Sequence, residues 1–133
     1  MTGTGSPSQA TGPYGLPTDP AAVSTDPHVA TLREPRGVAL DRSGNLYVAD
    51  AGHCRVRKVS LDAAGTALRV DTVLGTGVCG DFGDSGPARD AQVGSYLWIR
   101  TDASGALYVS DYLNGRVRRV DAGADGTIDG SET

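Results

Sequence analysis

The last thirteen residues hold a dense set of oxygen ligands. Asp121, Asp125, Asp129 and Glu132 fall at positions 1, 5, 9 and 12 of one twelve-residue window, with Gly126 at position 6 and Ile128 at position 8. A calcium loop spaces its carboxylates in this way and turns sharply at its glycine. Gly123 stands at position 3 and removes one ligand, and Arg116 to Val120 before the window reads as a strand rather than a flanking helix. Calcium is thus the one cofactor the residues raise, and the Gly126-Thr127 hairpin reading competes with it. Asp81, Asp84 and Asp90 form a second acidic group in a glycine-rich stretch. They read as solvated loop acids before they read as a cation site.

Acid-base or nucleophilic chemistry needs a partner within reach of the reacting side chain. His28 lies in an irregular stretch and His53 between two strands, and neither has a carboxylate or nucleophile partner by spacing. No catalytic residue is therefore assigned. Cys54 and Cys79 permit one disulfide without demanding it, and their spacing matches no zinc pattern. Arg55, Arg57, Arg116, Arg118 and Arg119 alternate with Val56 and Val117, as a strand with one wet face requires. No aromatic platform interleaves them. The net charge is −4, with no Lys or Arg in 1–31 or 121–133. A near-neutral middle between acidic ends argues against a nucleic-acid partner, which would call for a basic footprint.

The elements that must position these residues are short strands. The chain has 133 residues with 19 Gly, 7 Pro and one Met, a poor composition for a helix bundle. No apolar run approaches a membrane span, and the Met1 segment lacks the basic-then-apolar order of a signal peptide. At an offset of 61, Asp41-Arg-Ser-Gly-Asn-Leu-Tyr-Val-Ala-Asp50 overlies Asp102-Ala-Ser-Gly-Ala-Leu-Tyr-Val-Ser-Asp111 without a gap. Arg55-Val-Arg-Lys-Val59 then overlies Arg116-Val-Arg-Arg-Val120, and Gly65-Thr66 overlies Gly126-Thr127. Asp-x-x-Gly at 41–44, 62–65 and 102–105 supplies the reversals, because Asp suits the first and Gly the last position of a type I turn. Asp50 and Arg55, and likewise Asp111 and Arg116, are expected to face each other across the second hairpin as charged cross-strand pairs. Four strands joined as a meander make one blade of a β-propeller.

The run from Pro35 to Val59, with Pro35-Arg-Gly-Val at its start and His53-Cys54 in its loop, resembles the NHL repeat. Residues 97–120 resemble it again, with Leu97-Trp98-Ile99 at the start and Asn114-Gly115 in the loop. The Gly/Asp-rich linker from Gly75 to Val93 is similar to the insert of bacterial and teneurin-type NHL arrays. The resemblance implies an all-β chain, a partial β-propeller of about two four-stranded antiparallel blades. The expected organisation is an extended Gly/Pro-rich linker at 1–31, a first blade at 32–74, a Gly/Asp-rich loop at 75–96, and a second blade at 97–133 whose fourth strand begins near Thr127-Ile128 and is incomplete.

Two blades cannot close a ring, so further blades are expected, in cis or from other copies of the chain. The resemblance gathers the loops at 51–54, 112–115 and 81–88 on one face. His53, Tyr112, Asn114 and Trp98 are its candidate binding residues, although Trp98 also suits core packing. The expected function is a non-catalytic scaffold for a protein or small ligand. The alternative is part of a propeller enzyme, a metal-dependent hydrolase or lyase, whose catalytic ligands lie on other blades.

Overall fold

A computed structural model describes residues 24–133 of the chain. The first 23 residues of the expected N-terminal linker lie outside the described residues. The first sheet has the order β1 (Pro35–Leu40), β2 (Leu46–Asp50), β3 (Arg55–Leu61) and β4 (Ala67–Leu74), all antiparallel. The second has β5 (Leu97–Thr101), β6 (Leu107–Asp111) and β7 (Arg116–Val120), also antiparallel. The fold is all-β, as the resemblance implies, and the second sheet stops at three strands.

The Asp-x-x-Gly reversals form as their chemistry requires. Asp41 Oδ1 accepts the backbone N–H of Ser43 and Asn45, both at 2.9 Å, and Gly44 takes φ +84°. Asp62 and Gly65, and Asp102 and Gly105, repeat the device. Each aspartate satisfies two turn amides, and each glycine supplies a left-handed conformation that a Cβ would strain.

The repeat leads to a stack in which the two units are treated differently. Tyr47, Ala49, Val56 and Val73 of the first sheet share one buried cluster with Leu97, Ile99, Leu107 and Val109 of the second. Gly37 on β1 faces β5, where a Cβ would lie in ordinary contact 3.4 Å from the Ile99 nitrogen. The other side of the first sheet, carrying Val48, Val59 and Val70, buries Ala30 of the chain before β1. That chain turns at Asp26, whose carbonyl accepts the amides of Val29 and Ala30. Thr25 O accepts the Val70 N–H at 3.0 Å, so 24–31 forms a covering layer with contacts of its own.

The wet-face reading does not hold for the first-sheet arginines, one of which meets this layer and the other the linker after β4. Arg55 and Arg57 are buried, and their guanidinium groups donate to Thr76 O at 2.7 Å and Ser24 O at 2.6 Å. Burial lowers the pKa of each, and the carboxylate of Asp50 opposes that shift in both. In the second sheet Val117, the repeat-mate of Val56, is 74% exposed.

The tail also departs from expectation. Residues after Gly126 leave the second sheet and return to the first. Ile128 is fully buried, its N–H donates to the Tyr47 hydroxyl at 3.1 Å, and Lys58 Nζ donates to its carbonyl at 3.1 Å. Beyond it, Gly130 O accepts the Arg89 N–H at 3.0 Å and Glu132 O that of Ala88 at 2.7 Å. A large apolar side chain with both backbone groups satisfied in the inter-sheet core outweighs a fourth ladder on β7.

Candidate functional site

The second reversal of each unit is a short 3₁₀ turn, Ala51–His53 after β2 and Tyr112–Asn114 after β6. Each closes through a left-handed residue, Cys54 at φ 51° and Gly115 at φ 62°, whose N–H donates to the first residue of the turn. The third residue of each turn folds back onto the aspartate that ends the strand. His53 Nδ1 lies 2.8 Å from Asp50 Oδ2, and Asn114 Nδ2 donates to Asp111 Oδ2 at 2.9 Å. The other oxygen of each aspartate holds incoming backbone, Arg33 N–H on Asp50 at 2.7 Å and Gly94 N–H on Asp111 at 3.1 Å. Both units therefore build one clamp, Asp-x-x-His or Asp-x-x-Asn, that seats the chain leading into the blade.

The clamp revises two expectations. Asp50 and Arg55, and Asp111 and Arg116, are register partners as anticipated. The side chain of Arg116 nevertheless reaches Asp84 at 3.1 Å and Asp81 at 3.4 Å, while Asp111 meets Arg118 at 3.6 Å. His53, expected on the binding face without a carboxylate partner, is fully buried against Asp50. A solvent-borne substrate does not reach this pair. The signal for it was the three-residue spacing from Asp50, shared with Asp111 and Asn114.

The linker after β4 is tied to the second turn of each unit through residues 79 and 80. Cys54 and Cys79 form a disulfide, and Asn114 Nδ2 donates to Gly80 O at 2.7 Å. Asp81 and Asp84 turn towards the arginines of β7, with Arg118 also contacting Asp84 and the carbonyl of Gln92. These acids anchor the linker to the second sheet.

The carboxylates of the tail are engaged singly. Asp121 meets Arg119 at 2.6 Å, Asp125 accepts the N–H and hydroxyl of Thr127, and Asp129 accepts the Ser131 N–H at 2.8 Å. Glu132 accepts the amides of Asp129 and Gly130. Among the described residues, no three His, Cys, Asp or Glu side chains converge as a metal-binding group.

What the second unit does present is an aromatic surface. Tyr112 is 67% exposed and Trp98 45%, and Tyr96, a residue the sequence reading passed over, lies between them at 39%. The Tyr96 ring is 6.2 Å from that of Tyr112 and 6.5 Å from that of Trp98, with tilted planes. Arg36 of β1 places its guanidinium 4.0 Å from the Tyr96 centroid and 5.8 Å from that of Trp98. The backbone fixes this arrangement, since Tyr112 N–H donates to Tyr96 O at 3.1 Å. Leu113, next to Tyr112, is exposed as well.

Trp98 occupies the repeat position of Gly37. Where the first unit carries a glycine facing β5, the second carries an indole on its open face. A third sheet placed as the second is placed on the first would meet that ring. Among the described residues, Trp98 is 45% exposed.

No curated protein matches the chain. Among solved structures, it resembles an auxiliary nutrient binding protein from Bacteroides ovatus ATCC 8483 with a TM-score of 0.46 and 17% sequence identity. That likeness covers 78% of this chain and 20% of the other, so the chain spans about a fifth of its structural neighbour. Residues 32–59, which run from the covering layer through β1, β2 and the Asp50–His53 clamp into β3, match the family model of the NHL repeat.

Proposed function

We propose that the chain is a non-catalytic binding scaffold of the NHL-repeat type that contacts a protein partner through Arg36, Tyr96, Trp98 and Tyr112. The observation that carries this reading is the row of three partly exposed aromatic rings with an arginine laid against it. Tyrosine, tryptophan and arginine dominate binding energy where they are held in place, because they bury much area for little lost rotamer freedom. The guanidinium over Tyr96 gains from the ring quadrupole and keeps the ring oriented. Asn114 belongs to the scaffold behind this surface, where it holds the turn that carries Tyr112, and His53 holds the matching turn of the first unit. The unit boundaries at 32–74 and 97–133, with the linker at 75–96, are part of the same proposal, residues 127–133 of the second unit packing back on the first sheet and the linker.

The test is selection of displayed peptides on the full chain, followed by titration of Trp98 fluorescence, the single tryptophan of the sequence. Peptides that quench Trp98 and weaken about tenfold or more with Tyr96→Ala or Tyr112→Ala support the reading. Peptides that bind both variants as tightly as the parent place the contact elsewhere.

A further inference from the structure

The linker after β4 crosses the first turn in two differently held parts. Thr76 is fixed through its backbone, with its N–H on Ala91 O at 2.9 Å and its carbonyl accepting the Arg55 guanidinium at 2.7 Å. Residues 79 and 80 instead span the two turns. Cys79 is bonded to Cys54, the residue that closes the first turn. Gly80 accepts Asn114 Nδ2 on its carbonyl at 2.7 Å and donates its N–H to Val93 O at 3.2 Å. Asn114 Nδ2 also donates to Asp111 Oδ2 at 2.9 Å, and Asp111 Oδ1 accepts the N–H of Gly94, the residue after Val93. One covalent bond and a short chain of hydrogen bonds thus lead from Cys54 to the turn that carries Tyr112. The two turns differ at their closing residue. Cys54 and its repeat-mate Gly115 are both left-handed, at φ 51° and 62°. Glycine adopts that conformation freely, whereas a Cβ resists it, so the first turn closes on an unfavourable residue that is tied to the linker.

We propose that the Cys54–Cys79 disulfide is a redox-sensitive latch, closed when oxidised, that sets the order of the Tyr112–Asn114 turn through Gly80 and Asn114. The effect on a partner rests on the aromatic-face reading, because Tyr112 belongs to that surface, while the effect on the turn is read without a partner. A dithiol opens the latch. Its first thiolate attacks Sγ of Cys79, the partly buried member of the pair, and the S–S bond breaks with Cys54, which is fully buried, as the leaving thiolate. The second thiol of the reductant then displaces Cys79 and closes the reductant's own disulfide. Its two protons end on the two cysteines. Freed from Cys54, residues 79 and 80 no longer fix the Gly80 carbonyl, and Asn114 loses the acceptor that holds it from the linker side. The contact between the Tyr112 and Tyr96 rings, 6.2 Å apart at their centroids, then opens.

The experiment records amide spectra and hydrogen exchange of the full ¹⁵N-labelled chain, oxidised and in excess dithiothreitol. Expected on reduction are shifts at 51–55 and 78–80 together with remote shifts at 111–115, where exchange quickens about tenfold or more. The amides of Val48 and Val109 stay in place, which shows both sheets intact, and reoxidation restores the starting spectrum. Asn114→Ala cuts the relay, so that dithiothreitol still moves 51–55 and 78–80 but no longer 111–113. Four results each overturn the proposal: shifts confined to 51–55 and 78–80 in the parent chain, collapse of the whole spectrum on reduction, a disulfide that excess dithiothreitol leaves intact, or an undiminished response in Asn114→Ala. A peptide selected on the aromatic face weakens about tenfold on reduction, and equal binding in both states overturns the regulatory role. A turn that responds to dithiothreitol while no selected peptide reaches Trp98 overturns the aromatic-face reading and supports the latch.

Discussion

The hydroxyl of Tyr47 accepts a hydrogen bond from the backbone N–H of Ile128 at 3.1 Å, across 81 residues of sequence. The same hydroxyl donates to Asp41 Oδ2 at 3.0 Å, so a buried phenol is satisfied on both sides. Its repeat-mate Tyr108 also donates to its turn aspartate, Asp102, at 3.2 Å, but stands partly exposed with no tail against it. One motif thus has two fates, set by what covers the sheet. Tyr47→Phe leaves the Ile128 amide without its acceptor and costs about 1–3 kcal/mol in urea unfolding. Tyr108→Phe stays within about 0.5 kcal/mol. Equal effects would contradict the assigned role of the tail.

Burial is the main cause that pushes the Tyr47 phenol well above its ordinary value, with Asp41 adding to the shift. A raised folded value means that the stability from this group is complete below the unfolded pKa near ~10 and is lost as pH rises beyond it. Alkaline absorbance titration should show a late component, Tyr47, that ionises only with unfolding. Tyr47→Phe should remove that late component.

The Asp50–His53 clamp predicts a ranking. His53→Asn, which copies Asn114, should be tolerated better than His53→Ala, which leaves a buried carboxylate short of a partner. The expected gap in unfolding free energy is about 1–3 kcal/mol, read from denaturant midpoints. An asparagine variant as unstable as the alanine variant would mean that the two clamps are not equivalent.

Asp102 is held below its ordinary pKa first by the Ser104 hydroxyl and then by the amides of Ser104 and Ala106. Its contribution is present above the unfolded value near ~3.9 and is lost as pH falls through the folded one. Ser104→Ala should therefore raise the Asp102 titration midpoint in carboxyl-carbon NMR. No movement would show that the hydroxyl is not the dominant donor.

Reduction of the disulfide between Cys54 and Cys79 frees a loop of 25-residue separation and the tie between the first turn and the linker. Cys79→Ala should lower stability by about 2–4 kcal/mol. A thermal midpoint unchanged by Cys79→Ala would contradict this assignment.

The strands and turns were legible because their causes are local. Asp41, Asp62 and Asp102 with their glycines mark the reversals, and the alternation around Leu46-Tyr47-Val48 and Leu107-Tyr108-Val109 marks the strands. Burial was not legible, because it depends on neighbours distant in sequence. Arg57 and Arg118 look alike in the repeat, yet one is sealed under 24–31 and the other is held by Asp84 and Asp111. Tyr96 lies outside the aligned segment, so the repeat drew no attention to it. The turn from Ile128 back to Tyr47 required knowing that a large apolar residue had an inter-sheet core to enter.

The open second sheet is the feature on which the exposure of Val117 depends, and ¹⁵N-edited NOE spectra of the full chain test it most directly. The account predicts a contact between the Ile128 amide and the Tyr47 ring, with no cross-strand contacts from 127–131 to β7. Cross-strand contacts from those residues to Val117 or Arg119 would show that the chain completes its own fourth strand, and the account would be wrong.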